Sequence, residues 1–189
     1  MNRVQELSVT AVLSAAAASL RIIKHLIAGP IQFVNIPAVF AIIGGAVFGA
    51  RIGFLVGLFS FVISDFILGP GPWTAVNSIL CGLIGVISSV LWYGETSVSR
   101  LEVGATTYLL LFMNDILNSM ILYLLLGFSI QQAAIISVVG LFLPIAGGWM
   151  FFVGPITEGT TSVLAATLMP EIRERLQYVL PTGESVERE

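Results

Sequence analysis

Charge and reactive side chains are scarce in this sequence. Of 189 residues, 8 are Lys or Arg and 11 are Asp or Glu, with one His and one Cys. A lone Cys81 forms no internal disulfide, and with a single His it builds no Cys/His zinc site. No G-x-x-x-x-G-K-[ST] run occurs, so the chain carries no P-loop for ATP. No nucleophile has a visible base partner, as covalent catalysis requires. The net charge of −3 comes without a basic cluster, which argues against nucleic acid as a partner. No clear internal repeat is present. These absences leave no expected cofactor or metal and no enzyme signature.

What the chain has in quantity is apolar surface. It is 57% hydrophobic and 10% charged, against about 45–50% and about 25% in soluble domains. The mean hydropathy is +0.98. The apolar runs are far longer than barrel strands of about 9–11 residues, so the fold class is an all-α integral membrane protein. The expected architecture is a six-transmembrane-helix bundle in one membrane domain, residues 1–170, with a charged cytoplasmic tail at 171–189.

The expected helices are 6–25, 36–50, 52–68, 74–92, 103–126 and 155–168. Arg3, the first apolar run and Ala16 to Ala18 also resemble a signal peptide, but Glu6 argues against that. Gly45, Gly49, Gly53 and Gly57 recur every four residues, which predicts close backbone packing of the second and third helices. Trp92 and Tyr93 read as an interfacial belt. Pro170 marks the expected end of the last helix. The stretch 131–153 is apolar enough to span, yet Pro144, Gly147 and Gly148 break it. It reads as a broken, partly inserted segment, tolerated where protein or a cavity shields its backbone.

The arginines decide between six and seven spans. With six spans and the N-terminus inside, Arg3, Arg51, Arg100, Arg173, Arg175 and Arg188 are all cytoplasmic. A seventh span would put the Arg173 and Arg175 tail outside. The expected location is therefore the plasma membrane, multi-pass, with both termini cytoplasmic.

The stretch from Ser64 to Thr74 organises the remaining polar residues. Asp65 closes one apolar run, a stiff Gly-Pro-Gly-Pro turn follows, and Trp73 and Thr74 open the next run. An Asp at mid-bilayer costs about 2.5–3.5 kcal/mol, so such a residue is a functional hypothesis by default. A tight turn with Asp65 at a helix end is the alternative reading. In the six-span topology the outer half collects Arg21, Lys24 and His25, then Gln32 and Asn35, then Asp65, Trp73, Thr74 and Asn77. Asn114, Asp115 and Asn118 follow on the fifth helix, and Glu158 on the sixth. Snorkelling accounts equally for the helix 1 cations, and interhelical hydrogen bonds for the helix 5 group. A pocket open to the outside explains the one-sidedness, with Trp149 in a wall or lid. Arg21 and Lys24 are the available partners for Asp65 and Asp115. Trp73 offers a flat face for a ring-bearing ligand.

These residues resemble the substrate-binding S components of energy-coupling factor (ECF) vitamin transporters. Three features over about residues 7–170 carry the resemblance. They are the small-residue pair Ala11 and Ala15, the turn Gly49-Ala50-Arg51-Ile52-Gly53, and Ser64-Asp65 followed by Gly-Pro-Gly-Pro-Trp-Thr. The resemblance implies high-affinity capture of a vitamin or precursor from outside, followed by release through a T component and two cytoplasmic ATPases. It implies that Ala11 and Ala15 are the docking face for the T component. The third feature looks most like S components for corrinoids, so cobalamin-type cargo is weakly preferred. A stand-alone proton-coupled carrier using Asp65, Asp115 or Glu158 is the alternative, and a membrane-embedded enzyme is the third reading. The topology is testable directly: a reporter fused after Thr182 is expected to read cytoplasmic, and an external signal there would sink the six-span arrangement.

Overall fold

The structure, a computed structural model, describes residues 1–29, 31–95, 97–143 and 152–179, the last with side chains to 176. All regular structure among them is helical: α1 (Arg3–Ala28), α2 (Ile36–Phe48), α3 (Ala50–Leu68), α4 (Pro72–Trp92), α5 (Arg100–Leu125), α6 (Ile130–Val139) and α7 (Val153–Val179). By length and composition α1, α3, α4 and α5 are each able to cross a membrane. Their exposed apolar side chains, such as Leu26, Phe66, Val90 and Leu109, suit a lipid surround.

Caps explain where the helices begin. Asn2 accepts from the Gln5 amide at 2.9 Å while the Gln5 side chain accepts from the Asn2 amide at 2.9 Å. That reciprocal box starts α1 three residues earlier than the apolar pattern suggested. Asn35 caps α2 by accepting from the Ala38 amide at 3.2 Å, with Pro37 in the first turn. Between α2 and α3 the chain turns at Gly49, whose φ of 100° lies in the region that L side chains avoid.

At the centre is α2. It has only 13 residues, about 20 Å at 1.5 Å per residue, and it is buried along nearly its whole length. Around it pack α1, α3, α4 and α7, while α5 lies against α6, α7 and, more thinly, α4. The glycine repeat works as expected but reaches further than two helices. A methyl on Gly53 would stand 2.6 Å from the Gly45 Cα and 2.9 Å from the Gly85 carbonyl oxygen. One on Gly57 would stand 2.5 Å from the Cys81 carbonyl oxygen. The α3 glycine face therefore meets α2 and α4 together, backbone to backbone.

Two expectations need correction. Pro170 does not end the last helix, which runs to Val179. A proline forfeits one intrahelical bond, but the flanking turns are held by Met169 in the core, by Ile172 packed against it, and by Arg173, which donates to the Trp92 carbonyl at 2.7 Å. Trp92 is no interfacial residue: it is 1% exposed within the core, leaving Tyr93 alone at the surface. The 131–153 segment contains the ten-residue α6, and its remainder at 144–151, with Trp149, lies outside the described residues.

The glycine contact yields a paired prediction. Gly57→Ala forces a methyl into the α4 backbone and is expected to cost about 1–3 kcal/mol, read as a lower melting temperature in detergent. Gly104→Ala, whose methyl would meet only the Ala166 Cβ at 3.5 Å, is expected to be neutral or to stabilise by about 0.5–1 kcal/mol. Equal effects would show that the α3 seam is not closely packed.

Candidate functional site

Arg21 is where the site begins. Two turns before the end of α1, its Nη1 meets Asp65 Oδ1 at 2.5 Å and also donates to the Ser64 hydroxyl. The guanidinium carbon lies 4.5 Å from the centre of the Phe61 ring. The second oxygen of Asp65 accepts from the Thr74 hydroxyl at 2.8 Å, and Thr74 in turn accepts from the Gly71 amide at 3.1 Å. Asp65 is 2% exposed and Arg21 15%. A charge pair taken out of water is stable only when its remaining sites are also bonded, and here both carboxylate oxygens have donors. The clasp ties α1 to α3 and to the first turn of α4.

Lys24, one turn on from Arg21, donates to Gln32 Oε1 at 2.6 Å and lies 5.6 Å from the Phe33 ring. The loop carrying Gln32 and Phe33 is fastened to α7. The Thr157 and Thr160 hydroxyls donate to the Gln32 and Phe33 carbonyls, and the Asn35 amide donates to Thr161 Oγ1 at 2.8 Å. Three threonines at helical spacing thus hold the connection between α1 and α2 over the end of the bundle.

Beneath that connection lies a cavity of about 300 Å³. Of the residues singled out in the sequence, Arg21, Gln32, Asn35, Asn77, Asp115 and Asn118 line it. The structure adds Phe61, Ser119, Leu141 and Thr157. Ser119 and Thr157 stand next to polar residues already singled out, a usable signal. Phe61 and Leu141 sit in apolar runs with nothing to mark them.

Other expected site residues lie elsewhere. Asp65 and Thr74 are behind Arg21 rather than on the cavity wall. Trp73 is 47% exposed and lies against Gly71 at the surface. Asn114 lines a separate apolar groove of about 390 Å³ between α4 and α5, beside Leu80, Leu83 and Met113. The helix 5 triad therefore splits: Asp115 and Asn118 share a face, and Asn114 is about 100° round the helix from Asp115. Glu158 is buried in α7, facing Asp115.

A helical membrane protein with a polar cavity between its helices has the form of a solute-binding membrane subunit. A family model described as ECF-type riboflavin transporter, S component, matches residues 1–156, and the chain belongs to that family. No curated protein and no solved structure matches. The protein is thus the substrate-binding subunit of an ECF transporter. The stand-alone carrier reading finds no support in this membership. Nor does the corrinoid preference, since the family is named for riboflavin.

The clasp predicts a stability effect larger than any direct ligand contact by Asp65. Asp65→Ala or Arg21→Ala leaves its partner buried and unpaired, and each is expected to cost about 3–5 kcal/mol. The double variant Arg21→Met with Asp65→Leu is expected to cost less than the sum of the single changes. Melting of the ligand-free protein in detergent measures it, and additive losses would mean the pair is not coupled.

Proposed function

We propose that this S component captures riboflavin, or a closely related flat heterocycle, in the cavity between α1, α3, α4, α5 and α7. The observation that supports this reading is the chemistry of the cavity. Phe61 and Leu141 contribute apolar wall, while Gln32, Asn35, Asn77 and Asn118 offer side-chain amides. Each amide both donates and accepts, which suits carbonyls, ring nitrogens and a polyol chain. The volume sits at the lower end of the range of about 300–1,000 Å³ typical of small-molecule pockets.

The cavity opens toward the outside in this reading, with six spans and both termini cytoplasmic. Because the sequence has no P-loop, release is driven by a T component and two ATPases. The T component docks on the outer face of α1. There Ala11 and Ala15 are exposed, next to Val4, Leu7 and Val12 at 71%, 69% and 67% exposure. Small residues on such a face admit a second helix closely. Ala18, further along, is buried within the bundle and is not part of that surface.

Titration of the purified protein with riboflavin, followed by quenching of flavin fluorescence, tests the cargo. Asn118→Leu is expected to weaken binding at least tenfold, or about 1.4 kcal/mol, and Cys81→Ala to leave it unchanged. In proteoliposomes containing the T component and ATPases, Ala11→Trp is expected to stop uptake while binding persists. No riboflavin binding by the parent protein would overturn the cargo; loss of binding in Ala11→Trp would overturn the docking face.

A further inference from the structure

Helices α1 and α3 start at the same end of the bundle, and between their first turns lies a small cavity of about 90 Å³. It shares no residue with the larger cavity described above. Arg3 lines it from α1 and Arg51 from α3, each in the first turn of its helix. Arg51 meets Glu6 at 3.1 Å, and the two side chains are 76% and 33% exposed. So exposed a pair is weakly held, and it leaves most of the Arg51 guanidinium donors open. Arg3 has no carboxylate partner among the described residues. The N-cap of α3 is Gly49, so no side chain caps the first amides of that helix.

The lining changes character with depth. Leu7 stands one turn in from Arg3 and Leu55 one turn in from Arg51, and both line the cavity. Thr10, a further turn along α1, also lines it. Thr10 is 6% exposed, and its hydroxyl makes no hydrogen bond among the described residues. Buried polar atoms in folded proteins are nearly always partnered, because stripping them of water without a replacement bond is costly. Both helices are long and apolar enough to cross a membrane, which puts their first turns at the level of the lipid headgroups. Cations outermost, then a free hydroxyl among apolar side chains, is the order in which a glycerophospholipid presents its phosphate, its ester carbonyls and its chains. A free phosphate would engage the outermost part alone.

We propose that Arg3 and Arg51 bind the phosphate of an anionic phospholipid, with Thr10 donating to an ester carbonyl below it and the acyl chains lying along Leu7 and Leu55. Guanidinium forks match the paired oxygens of a phosphodiester. Two cations against the single carboxylate of Glu6 leave the mouth positive. A zwitterionic headgroup would set its own cation against that charge, so an anionic lipid is preferred. With six spans and the N-terminus inside, the lipid belongs to the cytoplasmic leaflet. Binding itself does not depend on that topology, which the reporter fusion after Thr182 tests separately. Leu7 also belongs to the exposed face of α1 that carries Ala11, so the bound lipid borders the surface proposed for the T component.

Native mass spectrometry of the whole purified chain tests the site, with dioleoyl phosphatidylglycerol and dioleoyl phosphatidylcholine added to the detergent solution. The parent is expected to bind the anionic lipid about tenfold more tightly than the zwitterionic one. The double variant Arg3→Gln with Arg51→Gln is expected to lose that preference and to melt as the parent does, since both side chains are exposed. Arg3→Gln alone serves if the double variant does not fold. Arg100→Gln, at the exposed start of α5, is expected to keep the preference. Thr10→Val is expected to weaken both lipids alike, because both carry ester carbonyls. Equal binding of the two lipids by the parent, or an unchanged preference in the double variant, overturns the site. So does an equal loss in Arg100→Gln, which would mean attraction to general surface charge. Glycerophosphoglycerol, the same headgroup without chains, is the competitor. Displacement of the lipid by it at equal concentration would mean a site for free phosphodiesters and would overturn the lipid. Unchanged binding in Thr10→Val would overturn the ester contact.

Discussion

A carboxylate and a guanidinium held together in a medium that solvates neither make up the constraint on which the site depends. Asp65 and Arg21 belong to helices that are neighbours in space but 44 residues apart in the chain. Desolvating each ion costs several kcal/mol, and the pair recovers this only with good geometry and further hydrogen bonds. Ser64 and Thr74 supply the bonds, and the Phe61 ring adds a cation–π contact to the guanidinium. The Gly-Pro-Gly-Pro turn then has a structural purpose. It brings Thr74 back onto Asp65 within nine residues, and its limited conformational freedom keeps that return reproducible. The clasp also presents the guanidinium to the cavity with its position already set, so a ligand meets an ordered wall.

A second constraint is the shortness of α2. A helix of about 20 Å falls short of a hydrocarbon core of about 30 Å. The chain at its start must therefore be covered by protein. The threonines of α7 perform that task, Thr157 and Thr160 by donating to backbone carbonyls of the loop. At the other end of α2 the glycine seam brings α2, α3 and α4 within backbone contact. One end of the bundle is thus closed by glycine packing and the other is left with room for a cavity. The polar side chains that line the cavity lie at the roomy end.

The division of labour within an ECF transporter fits these physical limits. A chain with so few charges and no P-loop supplies recognition, and energy has to enter through other subunits. The exposed small residues of α1 are on the outside of the bundle, away from the cavity lining, so contacts with a partner helix and contacts with cargo need not compete.

Composition and periodicity determined the class of this protein. Apolar runs too long for strands, interrupted by Gly and Pro, mark a helical membrane protein, and lone carboxylates inside such runs mark Asp65, Asp115 and Glu158. The class reading holds, and such carboxylates stand out in a sequence because lipid penalises an unpaired polar group wherever it stands in the fold. The resemblance carried by the Ser64 to Thr74 stretch and the small-residue turns reached the S component family as well. Tertiary structure alone decided which polar residues act together. It put Arg21 on Asp65, turned Asn114 away from its neighbours, left Trp73 at the surface and drew Phe61 and Leu141 into the cavity. It carried α7 through Pro170 and buried Trp92, because packing outweighs a local breaker or an interfacial preference. A linear pattern records how much each residue dislikes lipid or water. Which partner relieves that cost depends on how helices far apart in sequence are rotated against one another, and that is set only when the bundle closes.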